Sequence, residues 1–332
     1  MNQRPRVTIR DVAREAGVSV TTVSDALSGG GRLTDLTRAK VAAVADKLGY
    51  IPNPSARHLR KGRTGTIGLY FPDRVIGLEY YMSVAVGAAE GALRHDMALT
   101  LIPGWRDSRR VAAFHVDGMI VADPVLGDPV LDQLRRQRIP VVTCERDLSP
   151  GADHAGRVES DNSAAIRDLL EHLRAQGAKR TALIASDATT AWGHDLRAAY
   201  GAWCRKRRVT PQVREVPLVS YPDDVAQATE VLLTGRRPPD AIISAIDGSA
   251  IGVLQAAERL GLRVPQDLLV ASCVDGAELR QATPAVTAID IQPKVMGQWA
   301  AELLAELLEG TQPQGTVRTL ETRLVHRAST AG

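Results

Sequence analysis

The 332-residue sequence predicts two structural classes in one chain: an all-α amino-terminal unit and a much larger α/β body with parallel sheets. Three observations predict this. Residues 8–48 carry apolar positions at helical spacing, bracketed by capping residues and glycines. From Thr66 onward, short apolar strands alternate with amphipathic helices, the pattern of parallel βαβ units with right-handed crossovers. Charge divides at the same place. Residues 1–63 hold twelve Arg and Lys and five acids, a net of +7; the whole chain is +3, so the remainder carries −4. A basic head on a mildly acidic body is the footprint of phosphate contact by one end.

The head reads as follows. Thr8 caps a first helix and Asp11 sits in its first turn, where negative charge is favoured. Ile9, Val12, Ala13 and Ala16 form one apolar stripe, and Gly17 tolerates the left-handed turn that ends it. Ser19 caps a second helix whose Val23, Ala26 and Leu27 pack back on the first. Val20, Thr21, Ser24 and Asp25 are then left pointing outward. This describes a helix-turn-helix, whose second helix enters the DNA major groove. The loop of Ser28, Gly29, Gly30, Gly31 and Arg32 either brings amides and Arg32 to a phosphate backbone or is a plain turn. Thr34 caps a third helix to about Leu48, with Leu36, Val41, Val44 and Leu48 inward, and Gly49 stops it. Asn53 as cap, Pro54 at the first helical position and Gly62 as stop define about two further turns. A helix that short is unstable alone, and on composition the stretch reads as a charged linker.

In the body, strands are expected at 67–71, 98–103, 116–121, 139–143, 181–186, 241–246 and 268–274. Helices are expected at 80–95, 129–137, 162–176, 196–208, 249–260 and 293–308. Its roughly 265 residues exceed one economical core and suggest two lobes. Ligands of open α/β sheets bind beyond the carboxyl ends of the strands, so two facing lobes would enclose a cleft.

Composition bounds the function. The apolar fraction of 44% and charged fraction of 24% are those of an ordinary soluble protein. The opening MNQRPRVTIR has no apolar run, so no secretory signal is expected, and no stretch is long enough to span a bilayer. Cys144, Cys204 and Cys273 lack metal-ligand spacing and read as buried free thiols in a reducing cytoplasm. The seven His are scattered, and no G-x-S-x-G, P-loop or C-x-x-C occurs. No catalytic residue, metal site or cofactor is expected.

The stretch TIRDVAREAGVSVTTVS closely resembles the opening of the lac repressor family of bacterial transcription regulators. The pattern T-R-x-x-V followed by L-G-Y-x-P-N continues the resemblance, and V-D-G-M-I-V, I-P-V-V, V-E-S-D-N, D-A-I-I and T-P-A-V-T extend it over nearly the whole chain. The run between Trp105 and Val116 is short for the helix the family has there. The resemblance implies a helix-turn-helix domain at 1–52, a hinge helix at 53–64 and a periplasmic-binding-protein-like core at 65–332. The core's lobes would be 65–160 plus 292–325, and 161–291.

By resemblance, Val20 and Thr21 take the base-contacting positions, and Val20 methyls suit a thymine methyl. Thr8, Ser19, Thr22 and Ser24 act as caps or phosphate contacts that fix register. Arg32, Tyr50 and Asn53 join the DNA-contacting set. Asp25 departs from the family, where a donor is common: it either favours a cytosine N4 donor or merely pairs with a neighbouring Arg. The resemblance also implies that the hinge orders on operator binding and pairs across a dimer. Leu59, flanked by Arg57 and Arg60, would wedge into a minor-groove base step, and Ala56 would permit close helix approach.

For a small-molecule effector, the strand ends offer Tyr80, Tyr81, Glu145, Arg146, Trp192, Arg197, Asp247 and Asp275, each also readable as a solvated loop residue. Asp247 aligns with the family's Asn-Asp pair, with Ile246 in place of Asn, whereas Arg197 and Asp275 fall one residue out of register. Carboxylates, Arg and an aromatic such as Trp192 would suit a sugar-like polyol. The expectation is a cytoplasmic, sequence-specific regulator, read as a repressor, that binds double-stranded operator as a homodimer under effector control. No tetramerising tail is expected after Arg327. A solute-binding receptor without a DNA role and a carbohydrate-processing enzyme are the alternatives.

Overall fold

Local signals decide the first 51 residues, and long-range pairing decides the rest. The computed structural model describes residues 7–51, 62–71, 79–104, 114–217 and 222–331. It forms two units, residues 1–63 and 64–332.

The first unit holds α1 (Ile9–Ala16), α2 (Val20–Ser28) and α3 (Asp35–Leu48). Its core is small: Val12, Ala13, Ala16, Val23, Val41 and Ala45, rimmed by Ile9, Val18, Ala26, Leu27, Val44, Leu48 and Tyr50. Leu36, expected inward, is instead 82% exposed. Val41, Val44, Ala45 and Leu48 already make a stripe at steps of three and four, and Leu36 lies off it by about 140°. Ion pairing between Lys47 and Glu15 (2.8 Å) ties the end of α3 to α1 at the surface.

The second unit carries two six-stranded sheets. The first has the order β11-β5-β4-β3-β1-β2, all parallel, from β1 (Thr66–Phe71), β2 (Ala98–Pro103), β3 (Gly118–Ala122), β4 (Val141–Cys144), β5 (Gly156–Ser160) and β11 (Thr316–Leu320). The second runs β12-β10-β9-β8-β6-β7, from β6 (Thr181–Ala185), β7 (Val213–Glu215), β8 (Ala241–Ser244), β9 (Leu269–Ser272), β10 (Thr287–Asp290) and β12 (Arg323–Val325). Only β12 is antiparallel there, against β10. Residues 323–325, expected with the first lobe, therefore belong to the second lobe's sheet. The chain passes between lobes after β5, after β10 and between β11 and β12.

The helices are α4 (Glu79–Arg94), α5 (Pro129–Arg136), α6 (Asn162–Ala175), α7 (Ala191–Arg207), α8 (Pro222–Leu233), α9 (Ala250–Arg259), α10 (Ala277–Gln281) and α11 (Pro293–Glu309). Helix α7 starts five residues before the expected Leu196, because Thr190 accepts from the Gly193 N–H and caps it there. Strands β5, β7, β10, β11 and β12 and helices α8 and α10 were not expected. Several are edge or near-edge elements with polar residues every second position, as in RVES and TVRTL, which read as loop.

One apolar core runs continuously from the first sheet through α4 and α11 to the second sheet. Helices α4 and α11 touch backbone to backbone. A Cβ on Gly87 would lie 1.8 Å from the Lys294 carbonyl oxygen, and one on Gly297 would lie 2.0 Å from that of Val84. Only glycine fits either position. The contact fixes the amino end of α4, which carries Glu79, Tyr80 and Tyr81, beside the strand ends. All three cysteines are buried and free. Among the described residues no helix is long and apolar enough to cross a membrane, and no group of His, Cys, Asp and Glu is placed to hold a metal ion.

Candidate DNA-reading surface and ligand cleft

The reading surface is built by caps. The Asp11 carboxylate accepts from the Thr8 backbone N–H (3.0 Å) and hydroxyl (2.6 Å), and these bonds hold its pKa below the ordinary value. Gly17, at φ +66°, closes the turn: its own N–H reaches the Arg14 oxygen and that of Val18 reaches the Ala13 oxygen. The Ser19 hydroxyl accepts from the Thr22 N–H (3.0 Å), which starts α2. A cap of this kind contributes about 1 kcal/mol. Val23 is then fully buried, while Val20, 42% exposed, and the exposed Thr21 stand clear.

Asp25 is half-buried at the far end of α2. Arg38 of α3 donates to the carbonyls of Asp25 (3.2 Å), Gly30 (2.9 Å) and Gly31 (3.0 Å). Its guanidinium thus holds the turn after α2 through backbone oxygens, and the Asp25 carboxylate is not its partner. That carboxylate lies against Gly31, whose added Cβ would come within 2.8 Å of Oδ2. Arg32 is exposed, and Tyr50 packs on the small core's rim. Asn53, Ala56, Arg57, Leu59 and Arg60 lie outside the described residues, as does most of the run from Trp105 to Val116.

The cleft lies where the strands of both sheets end. Tyr80, Tyr81, Asp123, Glu145, Thr190, Trp192, Ala245, Ile246, Asp247, Val274 and Ile291 line a cavity of ≈ 40 Å³. That is room for a few waters at roughly 10–15 Å³ each. Any sugar-sized ligand therefore needs the lobes to part or the aromatic walls to turn.

Its carboxyl groups are held under backbone constraint. Asp123 follows β3 at φ 46° and Glu145 follows β4 at φ 72°, both in the left-handed region. Such residues cost on the order of 1–3 kcal/mol each and cluster at functional sites. Asp123, 8% exposed, accepts from the Tyr81 hydroxyl (2.7 Å), and burial pushes its pKa up to about 6. Glu145, 5% exposed, accepts from the Ser160 N–H (3.2 Å) and Asn162 Nδ2 (3.0 Å). Burial, and then the neighbouring Asp123 charge, raises its pKa well above the carboxylate range. Asp247 is also raised, by burial first. Tyr80 and Tyr81 meet edge to face (4.9 Å between centroids), and Trp192 Nε1 donates to the Ala245 carbonyl (2.9 Å), which fixes the indole.

The lobes are clasped on both sides of the cavity. Asp247 of the second lobe accepts from the Tyr80 N–H at the start of α4 (3.0 Å). Glu79 of the first lobe accepts from the Ala277 N–H at the start of α10 (2.7 Å) and pairs with Arg280. Each lobe thus places a carboxylate at a helix amino terminus of the other, where the helix dipole favours it. Opposite, Arg146 pairs with Asp195 (2.6 Å) and the Leu126 N–H meets the Thr189 carbonyl (2.8 Å).

Comparison with known proteins fixes the family. Residues 8–53 match the family described as bacterial regulatory proteins, lacI family, and residues 170–330 match the periplasmic binding protein-like domain. Catabolite control protein A of Staphylococcus xylosus is 31% identical over 297 residues, covering 86% of this chain and 88% of that protein. The chain belongs to the lacI family of bacterial regulatory proteins. The HTH-type transcriptional regulator CelR of Thermobifida fusca is 28% identical over 343 residues, covering 99% of this chain and all of CelR. In fold, this lacI-family chain matches the lac repressor dimer bound to operator and the anti-inducer ONPF. The TM-score is 0.79 at 24% identity, over 99% of this chain and 100% of that one. It is a DNA-binding transcriptional regulator with a helix-turn-helix head and a two-lobed α/β core.

Of the cleft residues expected from the sequence of this lacI-family member, Tyr80, Tyr81, Glu145, Trp192 and Asp247 line the cavity. Arg146, Arg197 and Asp275 do not. Arg146 serves the clasp with Asp195, and Arg197 holds the Ser186 carbonyl (2.8 Å) and Glu215 (2.9 Å). Asp275 is bound by Arg327 (2.8 Å) and Arg280 (3.1 Å). The sequence reading missed Asp123 and Thr190. For Asp123 a signal was present: it directly follows the apolar strand VDGMIVA, the position at which a strand-end carboxylate enters a cleft.

Proposed function

We propose that this regulator binds a pseudo-palindromic operator as a homodimer, reads it with Val20 and Thr21 of α2, and answers to a small molecule held between its lobes. The observation that carries the reading is the cavity itself: three strand-end carboxyl groups and three aromatic rings enclosed by lobes that cap each other's helices. A ligand that favours one lobe arrangement and DNA that favours another change each other's affinity by the same factor. Among similar structures, CelR is found in complex with cellobiose, and the lac repressor dimer with operator and the anti-inducer ONPF. A metabolite of sugar size would enter the same place here once the lobes part or the aromatic walls turn.

Dimerisation has support in this chain's surface. Met82, Val86 and Leu93 are exposed on α4, beside the exposed Leu101 of β2, the outer strand of the first sheet. An apolar stripe next to an open sheet edge is the kind of surface a second copy covers. We read the protein as acting without a catalytic step, in the cytoplasm where the operator lies. The hinge assignment for 53–64 rests on the sequence resemblance, and Leu59→Ala is expected to weaken operator binding while leaving the body folded.

The test is selection of bound duplexes from a random pool with the full-length protein, repeated in the presence of a metabolite panel. Enrichment of an inverted repeat, with a midpoint that moves with one metabolite, is expected. A pool that stays random contradicts the reading.

A further inference from the structure

We infer that the cleft takes a ligand bearing a positive charge, a protonated amine on a polyol or short aliphatic frame, in preference to a neutral sugar or an anionic metabolite. The inference rests on the reading of the cleft as the effector site and concerns what that site selects.

The cavity's described lining includes Asp123, Glu145 and Asp247 and contains no Lys, Arg or His. Among the described residues, cations that stand near the lining in sequence are engaged elsewhere, Lys294 on Glu90 among them. Arg146 is on Asp195, Arg197 is on Glu215 and a carbonyl, and Arg280 and Arg327 are on Asp275. Within the cavity the three acids are not equivalent. Both Glu145 oxygens already accept hydrogen bonds. Asp247 is engaged by the Tyr80 N–H through Oδ2. Asp123 takes the Tyr81 hydroxyl on Oδ2, and among the described residues no donor reaches its Oδ1, although the residue is only 8% exposed.

A buried carboxylate with a vacant acceptor and acidic neighbours is satisfied best by a donor that also brings charge. An ammonium group offers three donors and a full positive charge to this position. The rings of Tyr80, Tyr81 and Trp192 complete the lining, and aromatic rings are the apolar neighbours most compatible with a cation. A neutral polyol hydroxyl can fill Oδ1 but brings no charge to an ionised Asp123, and a phosphate or carboxylate meets three acids and no cation in the described lining.

The test uses matched ligands on the full-length protein: glucosamine, N-acetylglucosamine, glucose and glucose 6-phosphate, and 1,4-diaminobutane against 1,4-butanediol. Binding is read by isothermal titration and by Trp fluorescence. At least one amine is expected to bind ten-fold or more tighter than its neutral counterpart. In Asp123→Asn that preference should shrink to within about threefold. A thermal midpoint no lower than wild type would show that Asp123→Asn is folded, and Asp247→Asn is a second variant expected to reduce the same preference.

Neutral or phosphorylated ligands binding as well as the amines, an amine preference that survives Asp123→Asn, or no binding by any of the six overturns the inference. Operator selectivity measured on the same preparation separates the two readings. Selective DNA binding without amine preference removes only the charge assignment. Amine preference without selective DNA binding removes only the regulator reading.

Discussion

The head and the cleft solve opposite problems. The head leaves the neutral side chains of Val20 and Thr21 exposed on α2, on a unit whose buried core is six small residues. The cleft buries carboxyl groups, two of them in left-handed backbone, beside a large continuous core. The difference teaches where each is fragile. The head is vulnerable to any loss of packing, because a domain that small buries little apolar surface. The cleft tolerates locally unfavourable residues, because the surrounding lobes stabilise them.

The largest effect that can break this comparison is on the head. Val23→Asp places an unpaired carboxylate in that small core, at a cost on the order of several kcal/mol. Operator binding is expected to vanish in an anisotropy titration, while the calorimetric transition of the body stays in place. A shifted body transition would show that the two units are not independent.

Next comes the cleft. The Asp123 pKa is raised from 3.8 to about 6 in the folded protein, so ionising it costs the folded state. Its penalty is absent below about pH 4, grows as pH rises towards 6 and is complete above that. Asp123→Asn should therefore stabilise the ligand-free body at pH 7.5 by roughly 3 kcal/mol at most. Urea unfolding at pH 7.5 and pH 4 checks this, because the gain should disappear at the lower pH. A destabilised variant at neutral pH would mean that the carboxylate holds the cleft together.

Smaller still is Arg38→Met. It removes three hydrogen bonds to the carbonyls that follow and end α2, at about 1–2 kcal/mol. Operator affinity should fall roughly ten-fold, with sequence preference unchanged. The smallest effect on affinity belongs to Asp25→Ala, expected to stay within about threefold overall while shifting base preference at one position of each half-site. A uniform loss across all sequences would assign Asp25 to the turn instead of to the bases.

The same contrast explains what the sequence made legible. In the head, Thr8, Gly17, Ser19 and Thr34 are local signals, and each sits at the cap or turn its residue type suggests. Leu36 failed because an apolar residue next to a helix start was counted into a stripe it does not face. In the body, βα alternation is also local, and it shows in the sheets. The cleft is different. Tyr80 meets Asp247 across 167 residues, and Glu79 meets Ala277 across 198. Whether an Arg lines a cavity or serves an ion pair depends on such distant partners, which is why Arg146, Arg197 and Asp275 read like Glu145 and Asp247 until the fold placed them.

The clasp across the cleft gives the most direct measurement. Asp247→Ala removes one of its caps, and operator affinity can be titrated for this variant and the wild type with the selected duplex. If lobe closure is linked to DNA, the two midpoints differ by several-fold, and a saturating cleft ligand changes the wild type more than the variant. Identical midpoints in both proteins, with and without ligand, would contradict the coupling of cleft to head.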